Sequence, residues 1–223
     1  MDEIWRGPVE DSCESHEVVG SHVQFSGAVW DVRSDDVLIG AHAVTRDLVV
    51  HPGAVGVIAL DEQDRVLLIR QYRHPVGGYL FEPPAGLLDT HKETAWDCAR
   101  RELAEEAGLR ADTWHVLIDF LNSPGGTSET FRCFLARGVE HLPEGREHTG
   151  EAEEAHLPQA WVPLDEAVGL VLSGRIQNPT ATNGILAAAT ARSRGWSDLR
   201  PADAPWPVRQ WVESLGNVRT PPA

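Results

Sequence analysis

The residues predict an α/β chain that opens with a small antiparallel sheet. Two observations carry this. Short β-branched and aromatic runs, broken by Gly and Asp, fill residues 17–50. Further on, Trp96, Ala99, Leu103 and Ala107 recur at helical spacing in a chain otherwise punctuated by strand-like runs.

Taken in order, residues 1–16 are polar and read as loose. Residues 18–19, 22–25, 28–32 and 37–39 are the strand segments of the leading sheet. The run 54–60 (AVGVIAL) is a buried strand. Residues 61–64 turn the chain, and 65–71 returns, so the two runs are expected to pair as a hairpin. Residues 79–82 form a short strand. The PPAG run from Pro83 to Gly86 is expected to be irregular, because proline lacks the N–H a ladder needs. Thr90 with Glu93 three residues on gives a capping box, and Gly108 sits just past the end, so a helix is expected over 91–107. Strands follow at 114–121 and 130–135, with a loop at 122–129. A long loop covers 139–157, then come a strand at 160–163 and helices at 164–173 and 180–194. The last residues carry Trp196, Trp206 and Trp211 among prolines and read as an extension packed on a surface. This divides the chain into a leading sheet (1–50), a main domain (51–194) and an extension (195–223).

Composition narrows the function. The 223 residues are 42% hydrophobic and 24% charged, a globular profile. With 19 basic and 34 acidic residues the chain carries a formal −15. That disfavours a nucleic-acid binder, which needs basic surface, and makes any phosphate chemistry conditional on bound cations. Cys13, Cys98 and Cys133 are too few and too scattered for a disulfide framework or a zinc site. The ten histidines have no zinc spacing, and Gly77-Gly78 lacks the Lys-Ser/Thr end of a phosphate loop. The acidic N-terminus has no basic patch followed by an apolar stretch, and no apolar run approaches the ~18 residues of a membrane span. A cytoplasmic protein with no membrane partner is expected.

The chemistry concentrates at Arg101-Glu102-Leu103-Ala104-Glu105-Glu106. On a helix Glu102, Glu105 and Glu106 stand at i, i+3 and i+4 and share a face. Such a trio repels itself, and taken alone it reads most simply as a solvated acidic face. It is also what a hard divalent cation wants.

The surroundings decide between these readings. Gly86, Glu93, Arg101-Glu102-Leu103, Glu105-Glu106 and Gly108-Leu109 resemble the Nudix box, G-x5-E-x7-R-E-U-x-E-E-x-G-U with U aliphatic. One departure exists: six residues, not five, separate Gly86 from Glu93. The resemblance implies an α/β/α sandwich with a mixed sheet behind the small leading sheet. It implies two or three Mg²⁺ ions, replaceable by Mn²⁺, on Glu102, Glu106 and the Ala85 carbonyl, with Glu105 as a further ligand or as a catalytic helper to the attacking water. Arg101 would orient the box carboxylates, and Glu93 would either cap the helix or act in the chemistry. Glu82-Pro83-Pro84-Ala85-Gly86, Gln71-Tyr72-Arg73 and Ser123-Pro124-Gly125-Gly126-Thr127-Ser128-Glu129 resemble the ADP-ribose pyrophosphatase branch. That branch puts Arg46, Arg73, Glu82, Leu87, Pro124, Gly125 and Glu129 on the substrate, with Arg46 reaching in from a partner subunit. It implies a homodimer that exchanges the leading sheets. The loop residue Glu154, with Glu153 as the alternative, would be the catalytic base and a further metal ligand. The expected activity is hydrolysis of a nucleoside diphosphate compound, ADP-ribose first, with nucleotide sugars as the rival substrates and a non-catalytic sensor as the rival class.

Overall fold

The computed structural model describes residues 4–89, 93–143, 145–146 and 157–219. Strands β1 (Val18–Ser26), β2 (Asp31–Ile39) and β3 (His42–Val50) form an antiparallel sheet in that order. Its strands are longer than the sequence segments suggested, because Ser21, Ser34 and Thr45 bond Asp35, Asp47 and Asp36 across the ladders and keep polar residues in register.

The main domain is an α/β/α sandwich. Strands β4 (Ala54–Ala59), β7 (Ala85–Leu87), β8 (Leu109–Leu121), β9 (Thr130–His141) and β11 (Arg200–Pro201) build a sheet in the order β11-β8-β9-β4-β7. Within it β4 and β9 run parallel and the other pairs antiparallel. Strands β5 (Arg65–Arg73), β6 (Gly78–Glu82) and β10 (Gln159–Pro163) form a second antiparallel sheet centred on β5. Every residue of β4 is buried, and its alternation feeds two cores. Ala54 and Ile58, with Phe131, Cys133 and Leu135, face helices α2 (Leu164–Leu172) and α3 (Pro179–Ser193). Val55, Val57 and Ala59, with Phe134 and Ala136, face helix α1 (Ala95–Ala107). The period of two thus sends neighbouring residues to opposite layers. Helix α3 lies close on the sheet because Gly56 and Gly184 make room: a methyl group on either would come within 2.7 Å of Thr180 or Ile58.

Three expectations are corrected. β4 and β5 are not a hairpin; they lie in different sheets and touch through one bridge, Leu60–Val66. Both edges of β4 are taken, one by β9 and the other by β7 and the Pro84 carbonyl, so β5 has nowhere to pair along it. The PPAG run is irregular only at its prolines, since Ala85 and Gly86 join edge strand β7. The helix starts at Ala95 rather than 91. Its capping box is Thr94 with Asp97, four residues beyond the expected pair.

The extension packs on the domain. Beyond adding β11 to the sheet edge, it brings helix α4 (Pro207–Ser214) and a buried Trp206. Arg132, also buried, stacks 4.7 Å over the Trp206 ring, donates to the Ala204 and Pro205 carbonyls at 2.7 and 3.0 Å, and pairs with Asp119 at 2.8 Å. Farther on, Arg219 donates to the Gly27 carbonyl at 2.8 Å, pairs with Asp31 at 3.1 Å, and sits next to the bridge between His51 and Val218. No helix among the described residues is long and apolar enough to cross a membrane.

Candidate active site

Helix α1 has two working edges. Cys98, Ala99, Leu103 and Ala107 enter the core. The adjoining edge carries Glu102 and Glu106, only 8% and 5% exposed, against β7. The Ala85 N–H donates to Glu106 Oε2 at 2.9 Å. Gly86 lies so close to α1 that a methyl group there would fall 1.9 Å from Glu102 Oε1. Glycine is required by this approach, since its φ is not positive. The C-terminal carbonyls of α1 are satisfied from outside the helix. Gln159 donates to Glu106 and Ala107, and Arg146 to Glu105.

Arg101 organises the acidic face. It donates to Glu93 at 2.9 and 3.2 Å, to Glu102 at 2.7 Å and to Glu105 at 2.8 Å. Glu93 is therefore an ion-pair partner and not the helix cap; the cap acid is Asp97. The bonds to Glu93 first, then the charge of Glu102 and the bond to Glu105, hold the Arg101 proton more tightly than usual, against the cost of burial. Cys98, 3.5 Å from Arg101, is pushed up by burial and by Glu102 and Glu93, so its thiol stays protonated.

Among the described residues no three acidic, His or Cys side chains converge as a ready-made metal cage. The donor set nonetheless fits a hard cation. Two nearly buried carboxylates, a third on the same face and an adjoining strand backbone offer oxygen only, and the glycine cradle holds the strand against them. Glu154, Glu153 and Glu151 lie outside the described residues.

The substrate-side candidates fall into two groups. Arg73, at the end of β5, pairs through Nε with Glu82 on β6 at 2.9 Å. Glu82 is 2% exposed, and burial raises its pKa although Arg73 and Asn178 oppose the shift. Two prolines separate Glu82 from Ala85, so this pair is tied to the carboxylate edge by a stiff link. Leu87 closes β7. The second group is the 122–129 loop. Pro124 and Gly125 are exposed at its tip and Glu129 is half-buried at its base, where burial raises the carboxyl pKa and a bond from Asn122 lowers it. The loop is zipped to the end of β3: Val49 N–H donates to the Gly126 carbonyl, Ser128 N–H to the Val49 carbonyl, and His51 N–H to Ser128 Oγ. Arg46, by contrast, is exposed on β3 and bonds only its neighbour's carbonyl, at 3.2 Å, among the described residues. Within one chain it is not brought to the others.

Sequence reasoning missed Asn178. Its carbonyl caps α3 by accepting from Ala181 N–H at 3.0 Å, and its amide donates to Glu82 Oε2. The Asn178-Pro179 pair before an alanine-rich run was the available signal for the cap; nothing local signalled Glu82.

A two-carboxylate helix edge held against a glycine strand, inside an α/β/α sandwich, defines a class. A family model of the Nudix domain matches residues 50–182, and the chain belongs to the Nudix hydrolase family. It is 40% identical over 191 residues to the ADP-ribose pyrophosphatase of Mycobacterium tuberculosis (strain ATCC 25618 / H37Rv), covering 85% of this chain and 90% of that one. It is 35% identical over 153 residues to the ADP-ribose pyrophosphatase of Bacillus subtilis (strain 168), covering 68% and 80%. The fold matches the crystal structure of an ADP compounds hydrolase with a TM-score of 0.67 at 19% identity, covering 94% of this chain and all of that one.

Proposed function

We propose that this protein hydrolyses the diphosphate bond of ADP-ribose to AMP and ribose 5-phosphate with Mg²⁺, Mn²⁺ substituting. The buried pair Glu102–Glu106 beside Gly86 carries the reading, and the likeness to two ADP-ribose pyrophosphatases supports the substrate. Glu102, Glu105, Glu106 and the Ala85 carbonyl would hold two or three ions, joined by Glu154. Bound there, divalent cations neutralise the diphosphate and acidify a bound water.

The chain's own residues do the rest. Arg101 holds Glu102 and Glu105 apart from random rotamers, so the face is preorganised. Arg73 offers a planar cation to a phosphate oxygen or ribose hydroxyl. Glu82 fixes that cation, and Leu87 ends the strand that carries Ala85 and Gly86. Pro124, Gly125 and Glu129 border the terminal ribose. Water adds to one phosphorus, the bridging P–O bond breaks with its electron pair on the other phosphate, and the water proton passes to Glu154, or to Glu153. A base on a loop can complete the site only after substrate binds.

The leading sheet would mediate a homodimer and bring Arg46 to the partner's site. Val18, Val23, Phe25 and Ile39 are exposed on it, apolar side chains that a partner's sheet would cover. The test is a panel of ADP-ribose, NADH, ADP-glucose, GDP-mannose and diadenosine polyphosphates, with Mg²⁺ and with EDTA, products separated by chromatography. ADP-ribose should give the highest kcat/KM. A nucleotide sugar in first place would displace the substrate, and turnover undiminished by EDTA would remove the metal.

A further inference from the structure

The reading of Arg73 as a substrate contact leaves a question about how a half-exposed arginine holds one orientation. Its Nε is committed to Glu82 at 2.9 Å, and its terminal nitrogens make no other hydrogen bond among the described residues. Glu82 is almost wholly buried, so its remaining oxygen needs a donor. That donor is the Asn178 amide, which reaches Glu82 from 96 residues away in sequence. The other end of the same amide caps α3 through Ala181 N–H at 3.0 Å. Both ends are used, so the amide has one orientation. The Glu82 carboxylate also lies beside the N-terminus of a fifteen-residue helix, where its negative charge is favoured.

We infer that Asn178 is a positioning residue for substrate binding: it anchors the Glu82 carboxylate to the start of α3 and thereby aims the Arg73 guanidinium. This rests on the proposed role of Arg73. The relay explains why the residue is asparagine. Serine would cap α3 about as well and threonine only a little less well, but neither spans from the cap position to Glu82 with a nitrogen donor.

The experiment separates the cap from the relay. Asn178→Ser keeps an acceptor for Ala181 N–H and removes the amide donor; Asn178→Thr is a second variant of the same kind. Each should melt a few degrees below the parent, since the cap is kept while the buried Glu82 oxygen loses its donor. KM for ADP-ribose should rise about 3- to 10-fold with kcat within twofold, as expected when a bond that supports binding is lost. Calorimetric affinity for ADP-ribose in EDTA should weaken by a similar factor. Arg73→Ala should raise KM further, and adding Asn178→Ser to it should change little, because the two act through one path. If Arg73→Ala raises KM but Asn178→Ser leaves it within twofold, or if the two effects multiply, the relay is wrong while Arg73 stands. If Arg73→Ala leaves KM unchanged, Arg73 is not a substrate contact, and the relay falls with it.

Discussion

Gly86 and Glu102 approach so closely that a single added carbon would sit 1.9 Å from the carboxylate oxygen. No rotamer change in alanine can avoid this, because Cβ is fixed by the backbone. Gly86→Ala must therefore move Glu102 or pull β7 off the sheet edge. We expect about a 100-fold loss of kcat/KM, the scale of a misplacement near 1 Å. The accompanying stability loss should be only about 1–3 kcal/mol, typical of overpacking. Steady-state kinetics beside a urea titration would check both; full activity would mean that Glu102 is not needed where it lies.

Glu106 tests the metal face from the opposite side. Glu106→Gln keeps the shape and can still accept from Ala85 N–H, but it removes the charge. Turnover should fall by more than the roughly 10–100-fold that loss of a supporting residue costs. Turnover within a few-fold of the parent at ordinary Mg²⁺ would contradict the assignment, whereas partial rescue by excess Mg²⁺ would support it.

His51 gives a pH prediction with a definite sign. Its ring stacks on Trp30 at 5.8 Å, and its Nδ1 accepts from Gly53 N–H at 3.0 Å, so the neutral form is the one built in. Burial, helped by the charge of Arg209, lowers its pKa from 6.5 to about 4. The unfolded chain then binds more protons than the folded one between these values, so stability falls as pH drops from 6.5 toward 4. His51→Asn keeps an acceptor and removes the titration. Its unfolding free energy should vary less with pH over that window, as measured by denaturant melts at intervals of half a unit. Identical slopes would mean His51 takes up its proton while folded.

Arg132 tests the extension. Replacing it by Met leaves the Ala204 and Pro205 carbonyls without this donor and leaves Asp119 with Arg200 alone, at 2.8 Å. Removing one member of a buried pair costs about 3–5 kcal/mol, and Arg200 should hold the loss near the lower end. A loss under about 1 kcal/mol would show that the extension contributes little to stability through this residue.

The leading sheet makes the proposed dimer testable. Val23→Asp combined with Phe25→Asp puts two charges on its exposed apolar strand. Sedimentation equilibrium should give twice the chain mass for the parent and the chain mass for the variant. A monomeric parent would remove the partner role assigned to Arg46.

Local signals in the sequence carried far and then stopped. Glu102 and Glu106 could be placed on one edge because i and i+4 on a helix must neighbour, and the structure buries both. The helix start was misjudged because Thr90/Glu93 and Thr94/Asp97 offer the same spacing; what separates them is that Arg101 claims the Glu93 carboxylate. One of the two partners of β5 was invisible, since β10 arrives some 90 residues later and no periodicity encodes which sheet a strand joins. Asn178 was legible as a cap and illegible as a donor to Glu82, because the second bond exists only once β6 and α3 meet. Arg132 and Trp206 lie 74 positions apart and belong to the same long-range class.

The anchorage of Arg132 has a consequence for synthesis on the ribosome. Strand β9 is translated well before Ala204, Pro205 and Trp206, yet it is these that complete the surroundings of its buried guanidinium. Until they emerge from the exit tunnel, Arg132 has Asp119 without the two carbonyls or the indole face. A nascent chain halted before residue 204 thus lacks three of the partners that surround this guanidinium in the folded sheet, and those contacts form only once residues 204–206 have left the tunnel.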